Sequence, residues 1–181
     1  LLVDKTKKLK VGNGLEQGVD VGPCVDENQM KTVLDYIEIG QKEGANIICG
    51  GQRLMDEGRD KGYFIQPTIF SGVSTDMRIA QEEIFGPVLA VLPVEGFEQA
   101  IALANQVKFG LSASIVTNQL NRTFDYINQI EAGLIIVNLP SAGVEYQLPF
   151  GGTKASSTGY REQGSVATDF YSELRTVYLK Y

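Results

Sequence analysis

Histidine is absent from the 181 residues, which removes the base of Ser-His-Asp and Cys-His sites and the commonest metal ligand. Cysteine is scarce. Cys24 and Cys49 stand far apart, without the paired spacing of a zinc site or a thioredoxin-like motif, so both read as reduced thiols and no metal or disulfide is expected. No stretch approaches the roughly 18 apolar residues that span a bilayer, and residues 1–3 are too short for the core of a secretion signal. The expectation is a cytoplasmic protein with no membrane contact. Basic residues are in deficit, 16 Lys and Arg against 22 Asp and Glu for a net charge of -6. A nucleic-acid surface needs clustered cations to displace counterions from phosphates, so small molecules or proteins are the expected partners.

What is present is an ordinary globular composition, 43% apolar and 21% charged, in a chain long enough to bury a substantial core. The opening residues 1–10, beginning at Leu1, read as the end of a helix already under way, which points to a piece of a longer chain. Met30, Val33, Leu34 and Ile37 recur at helical spacing, predicting a helix over 27–44 with Asp26 as N-cap and Gly44 as its stop. Residues 47–49 read as a short strand closed by Gly50-Gly51, and 63–73 as extended chain interrupted at Pro67, with a hairpin or long loop between them.

From Val88 onward the pattern becomes regular. An apolar run over 88–92 suits a buried strand, and Phe97, Ala100, Ile101 and Ala104 then share one helical face. A strand over 112–116, a helix carrying Leu120, Phe124, Ile127 and Ile130, and a strand over 134–137 follow. Parallel strands need crossovers of about this length, so the expected fold class is α/β, an open, mostly parallel sheet with helices on both faces. Function is then expected at the carboxyl ends of the strands. Residues 139–164 carry Pro140, Pro149 and several glycines without periodicity, a long loop of the kind that is more often functional than decorative. Residues 172–181 alternate Val177, Leu179 and Tyr181 against Tyr178 and Lys180, which reads as a terminal strand following a body of residues 1–171.

Three strings invite a chemical reading. Gly12-Asn13-Gly14 follows a charged segment rather than a buried strand, so it reads as a turn and not as a dinucleotide fingerprint. Gly151-Gly152-Thr153-Lys154-Ala155-Ser156 lacks the spacing of a phosphate loop, which argues against nucleotide hydrolysis. Gln81-Glu82-Glu83-Ile84-Phe85-Gly86-Pro87 sets two carboxylates before an aromatic residue and a Gly-Pro turn. Two readings stay open there. Either both glutamates lie on a solvated turn with Phe85 in the core, or one carboxylate accepts hydrogen bonds from vicinal sugar hydroxyls while the aromatic flanks a flat ring.

Glu82-Glu83-Ile84-Phe85-Gly86-Pro87-Val88 resembles the EExFGPV signature of the aldehyde dehydrogenase superfamily. Further stretches agree in the same order. Gly22-Pro23-Cys24-Val25-Asp26-Glu27-Asn28-Gln29 is similar to the GPxxDxxQ segment, Cys49-Gly50-Gly51 to a short strand and glycine turn, and Leu134-Ile135-Ile136-Val137-Asn138 to the strand before the substrate loop. Pro149-Phe150-Gly151-Gly152-Thr153-Lys154-Ala155-Ser156, followed by Arg161-Glu162, resembles PFGGxKxSG. The match covers essentially the whole chain. Within the superfamily, the string from Val137 through Leu139-Pro140-Ser141-Ala142-Gly143 to Tyr146, with Tyr160-Arg161-Glu162-Gln163-Gly164, looks like α-ketoglutaric semialdehyde (2,5-dioxopentanoate) dehydrogenases.

The resemblance implies the C-terminal part of an aldehyde dehydrogenase catalytic domain, with NAD or NADP as coenzyme and an aldehyde as substrate. It assigns Glu83 to the nicotinamide ribose hydroxyls, Phe85 to packing beside the nicotinamide, and Gln29 to a position approaching the adenosine-side ribose. Thr32 stands where some members carry a ribose-binding Lys. Phe150 matches an aromatic at the substrate tunnel, with Ser141 and Ala142 in the loop 140–146 at its mouth. The family attacks the aldehyde with a cysteine thiolate, passes hydride to nicotinamide and hydrolyses the thioester with water activated by a glutamate. By the same resemblance those residues precede Leu1; neither Cys24 nor Cys49 matches the nucleophile's motif, so no catalytic residue is assigned here and the isolated chain is expected to be inactive. The terminal strand implies a homo-oligomer, a dimer or tetramer. A second reading is a non-catalytic assembly or partner-binding α/β module derived from the family.

Overall fold

The charged opening residues close a single turn and a half of helix, α1 (Leu2–Thr6), which buries none of its side chains. The computed structural model describes residues 1–143 and 145–181, and contacts divide them into two units, Leu1–Pro93 and Val94–Tyr181.

In the first unit the longest helix, α2 (Glu27–Lys42), starts where the Asp26 carboxylate accepts a hydrogen bond from the Gln29 amide at 2.8 Å. That contact satisfies one of the donors a helix N-terminus leaves free. The helix ends where Gly44 adopts φ 99°, a left-handed conformation open to glycine at little cost. Its buried positions Met30, Val33, Ile37 and Gly40 form one stripe. Strands β1 (Asn46–Cys49) and β2 (Thr68–Ser71) pair antiparallel, with an irregularity between Ile47 and Cys49. The excursion joining them is tied back by a bridge between Arg53 and Ile65, and by Thr68 Oγ1, which accepts from the Gly51 amide at 2.9 Å. After the short helix α3 (Arg78–Gln81), strand β3 (Val88–Ala90) runs parallel to β2, matching Thr68 with Val88 and Phe70 with Ala90.

Val33 and Phe70 are fully buried where α2 lies on this sheet, with Ile37, Ile65, Val73, Ile79 and Ile84 around them. Burial of each such side chain contributes about 1.5 to 3 kcal/mol. The segment before β3 comes so close to α2 that a Cβ added at Gly86 would collide with the Val33 side chain. Only glycine admits that approach.

The second unit holds α4 (Phe97–Gln106), β4 (Phe109–Gly110), β5 (Ser112–Ile115), α5 (Leu120–Gln129), β6 (Leu134–Val137), β7 (Thr153–Lys154) and α6 (Ala167–Phe170). Strands β5 and β6 are parallel in unbroken register from Ser112 opposite Leu134 to Ile115 opposite Val137, with α5 as their crossover. Ile101, Tyr126 and Ile130 form the core beneath them. Strand β7 pairs antiparallel with β4.

The α/β class and each predicted strand and helix from 27 to 137 are present, to within a residue or two at their ends except that the extended segment expected over 63–73 forms a strand only over Thr68–Ser71. Two arrangements differ from expectation. Strand β3 hydrogen-bonds to β2 within the first unit, rather than standing beside β5 and β6 in one continuous sheet. Residues 172–181 form no strand in the single chain, because a strand exists only against a partner edge and none is paired with them among the described residues. Within the long loop of 139–164, Val144 lies outside the described residues. No helix of the described residues is long and apolar enough to cross a membrane, and among them no cluster of three or more Cys, Asp or Glu could hold a metal ion.

Candidate functional site

The twin glutamates of the segment before β3 have opposite fates. Glu82 is locked into structure: Arg78 Nη2 donates to it at 2.8 Å, Arg78 Nε spans both its oxygens at 3.1 Å, and the Tyr36 hydroxyl donates to Oε2 at 2.6 Å. The Arg78 guanidinium also sits 5.3 Å from the centre of the Tyr36 ring. Glu82 holds the Arg78 guanidinium more firmly protonated than usual, and its hydrogen bond pushes the Tyr36 phenol up. Glu43, just beyond α2, accepts from the Arg78 amide at 2.9 Å and so fixes the start of α3. Glu83 is exposed, and among the described residues its carboxylate makes no hydrogen bond or ion pair.

Beyond Glu83 the chain is gripped again. The Gln29 side-chain amide donates to the carbonyl oxygens of Ile84 and Phe85, each at 3.0 Å. Ile84 is buried, whereas Phe85 has φ 54° and leaves 76% of its surface exposed. A non-glycine residue in this region costs roughly 1 to 2 kcal/mol, and here the strain turns a large apolar ring outward instead of into the core. The ring borders a cleft of about 320 Å³ lined also by Cys24, Val25, Gln29, Gly86 and Pro87; Glu83 is not among the lining residues. Phe85 is therefore not the core residue that the solvated-turn reading made it, while Glu83 is exposed as that reading had it.

Gln29, Glu83 and Phe85 are thus brought together in the first unit. Gln29 spends its amide hydrogens on the backbone of 84 and 85, leaving its side-chain oxygen as the free acceptor. Thr32, on the same helix, turns its hydroxyl back to the Asn28 carbonyl at 3.0 Å. Cys24 is half-buried at the cleft, and burial pushes its thiol pKa up, with Asp26 adding to the effect; a raised pKa lowers the thiolate fraction a nucleophile needs. Cys49 is buried on β1, and both cysteines are free.

The other candidates lie in the second unit. The chain leaves β6 at Asn138, which has φ 58° and exchanges two hydrogen bonds with Thr117, donating at 2.9 Å and accepting at 2.8 Å. Ser114 Oγ donates to the next carbonyl, Leu139, at 2.7 Å. Ser141 and Ala142 follow, both exposed at the carboxyl end of a parallel strand. Phe150 is half-buried and pairs with Glu162 through two backbone hydrogen bonds of 2.7 and 2.8 Å. Behind it Lys154 donates to the carbonyls of Asn105 and Val107 and meets Glu131 at 2.7 Å, so its charge closes the end of α4.

Tyr36, Glu43 and Arg78 were missed as parts of the site. The spacing held a signal: Tyr36 stands seven residues from Gln29 on one face of α2, and Arg78 four residues before Glu82.

Comparison with known proteins gives the family. The description "Aldehyde dehydrogenase family" matches residues 1–177. The chain is 48% identical over 179 residues to an alpha-ketoglutaric semialdehyde dehydrogenase of Bacillus subtilis, covering 99% of this chain and 37% of that protein. A 2,5-dioxopentanoate dehydrogenase of Saccharolobus solfataricus is 46% identical over 98% of this chain and 36% of its own length. Among solved structures, a Mycobacterium tuberculosis aldehyde dehydrogenase complexed with NAD+ superposes with a TM-score of 0.87 at 39% identity, covering 94% of this chain and 34% of that one. The chain spans about a third of the length of these relatives. From the ordered motifs, the family match across nearly every residue and the shared fold, this chain belongs to the aldehyde dehydrogenase family.

Proposed function

We propose that these residues form the nicotinamide-side clamp and part of the substrate tunnel of an enzyme that oxidises an aldehyde to a carboxylate with NAD+ or NADP+. The observation that carries this is the pairing of an unpartnered carboxylate, Glu83, with a ring two residues away, Phe85, that is held outward at a backbone cost. A carboxylate is acceptor-only and suits a vicinal diol; a flat apolar face suits an aromatic ring. A nicotinamide riboside presents both, so the residues present fit the coenzyme. Bound there, it would supply the hydride acceptor. Glu83 would accept from its ribose hydroxyls, Phe85 would pack beside the ring, and the Gln29 side-chain oxygen would remain for a further ribose contact.

On the substrate side, Phe150, Ser141 and Ala142 are the residues we assign to the tunnel. The names of the Bacillus and Saccharolobus relatives support α-ketoglutaric semialdehyde as the aldehyde. The thiolate nucleophile and the general base are assigned to residues outside these 181, in keeping with the raised Cys24 thiol and the buried Cys49. We further assign residues 172–181 to a strand that pairs with another subunit of a homo-oligomer; Val177, Leu179 and Tyr181 are all exposed in the single chain. An assembly module without catalytic function would use the same strand but would have no need of Glu83.

The test is Glu83→Gln in the intact protein. Loss of a charge-assisted bond should weaken coenzyme binding by about 1 to 3 kcal/mol, read as a raised KM for NAD+. Unchanged coenzyme kinetics would remove Glu83 from the site.

A further inference from the structure

We propose that Tyr36 is a positioning residue for Glu83, holding the neighbouring Glu82 carboxylate so that the Glu83 backbone is pinned from both sides by one face of α2. The inference rests on the reading of Glu83 as the coenzyme's ribose acceptor. Gln29 and Tyr36 stand seven residues apart, two turns of helix and about 10 Å along its axis. From these two points the helix holds the segment 82–85 on either side of Glu83. Tyr36 takes the Glu82 carboxylate at 2.6 Å, and Gln29 takes the Ile84 and Phe85 carbonyls at 3.0 Å. Buried Ile84 and the close passage of Gly86 over Val33 add packing between segment and helix. Glu83 is the residue bracketed by the two grips.

Charge follows the same division of labour. Two adjacent carboxylates repel, and a cationic partner on one of them offsets that repulsion. The Arg78 fork lies on both Glu82 oxygens, and the Tyr36 hydroxyl on one of them, so the negative charge of Glu82 is spent locally. The Tyr36 phenol, protonated at neutral pH like any tyrosine, has its pKa pushed up further by its bond to Glu82. A purely mechanical role, fastening α3 to α2, would use the same Tyr36 bond to Glu82 but would place no requirement on Glu83. The two roles differ in what they couple to.

The experiment is a double-mutant cycle in the intact protein with NAD+ as the varied coenzyme and propanal held constant. Tyr36→Phe removes one hydroxyl and keeps the ring beside Arg78. It should raise the KM for NAD+ about tenfold while kcat stays within about twofold. Combined with Glu83→Gln, it should raise that KM no further, because a positioning residue has nothing left to position. Glu82→Ala, which removes the acceptor of the Tyr36 hydroxyl, should reproduce the KM effect and serves if Tyr36→Phe fails to fold. An unchanged KM for NAD+ in a folded Tyr36→Phe protein overturns the proposal, and so does an effect that simply adds to that of Glu83→Gln. If Glu83→Gln itself leaves the KM unchanged, the ribose reading falls and takes this inference with it. If Glu83→Gln acts and Tyr36→Phe does not, only the inference falls.

Discussion

Phe85→Gly separates a residue kept for binding from one kept for folding. The ring is 76% exposed, so about a quarter of its roughly 200 Å² is covered, contributing about 1 kcal/mol of burial. Glycine gives that up and also loses about 0.5 to 1 kcal/mol to the greater freedom of the unfolded chain. In return it relieves the strain of φ 54°, worth about 1 to 2 kcal/mol. The three terms nearly cancel. Urea unfolding of the coenzyme-free chain should therefore find the stability of Phe85→Gly within about 1 kcal/mol of the parent, with an unchanged slope against denaturant. Calorimetric titration of the intact protein should find NAD+ binding weaker by about 0.5 to 1.5 kcal/mol, the worth of an aromatic pair beyond its area. A loss of about 3 to 5 kcal/mol in stability would mark a core phenylalanine and refute the reasoning.

Three other outcomes follow from the same structure. Of the eight tyrosines, Tyr36 and Tyr126 should lose their protons last in an alkaline absorbance titration, Tyr36 because of Glu82 and Tyr126 because of burial. Since the folded-state value of Tyr36 is raised, its contribution to stability is complete below the ordinary tyrosine pKa of about 10 and fades as pH climbs through the raised value. Tyr36→Phe should remove one late-titrating group, and an unaltered titration curve would contradict the assignment. Deleting residues 172–181 from the intact protein should lower its oligomeric mass in light scattering; the same mass with and without them would deny that segment its pairing role. The isolated 181 residues should give no aldehyde-dependent reduction of NAD+ or NADP+, and measurable turnover with propanal would show that a nucleophile lies within them.

Local physics made much of this fold readable. Asp26, the stripe of Met30, Val33 and Ile37, and Gly44 specify α2 with both ends, because caps and periodicity act within a few residues. The parallel pair β5 and β6 follows for the same reason, its crossover helix α5 being announced by Phe124, Ile127 and Ile130. The partner of β3 was not legible. A three-residue strand carries no record of which edge it will join, and here it joins β2, some twenty residues earlier in sequence. Residues 172–181 alternate as a strand should, yet alternation specifies faces and not an edge to pair with.

At the site, the string around Glu83 was legible as chemistry, and the local cue that separates its two glutamates, Arg78 four residues before Glu82, was overlooked. The other part of their difference comes from Tyr36, 46 residues away from Glu82 in sequence. The outward turn of Phe85 depends likewise on Gln29, 56 residues distant. Long-range hydrogen bonds help decide which of two identical side chains is tied into the structure and which is left exposed.

The central claim concerns where the Glu83 carboxylate points when coenzyme is bound. A crystal structure of the intact protein with NAD+ tests it directly. The account predicts the nicotinamide ribose hydroxyls within hydrogen-bonding distance of Glu83, with the Phe85 ring beside the nicotinamide and Glu82 still held by Tyr36 and Arg78. Coenzyme bound with Glu83 still in open solvent, or Glu82 released to take its place, would contradict it.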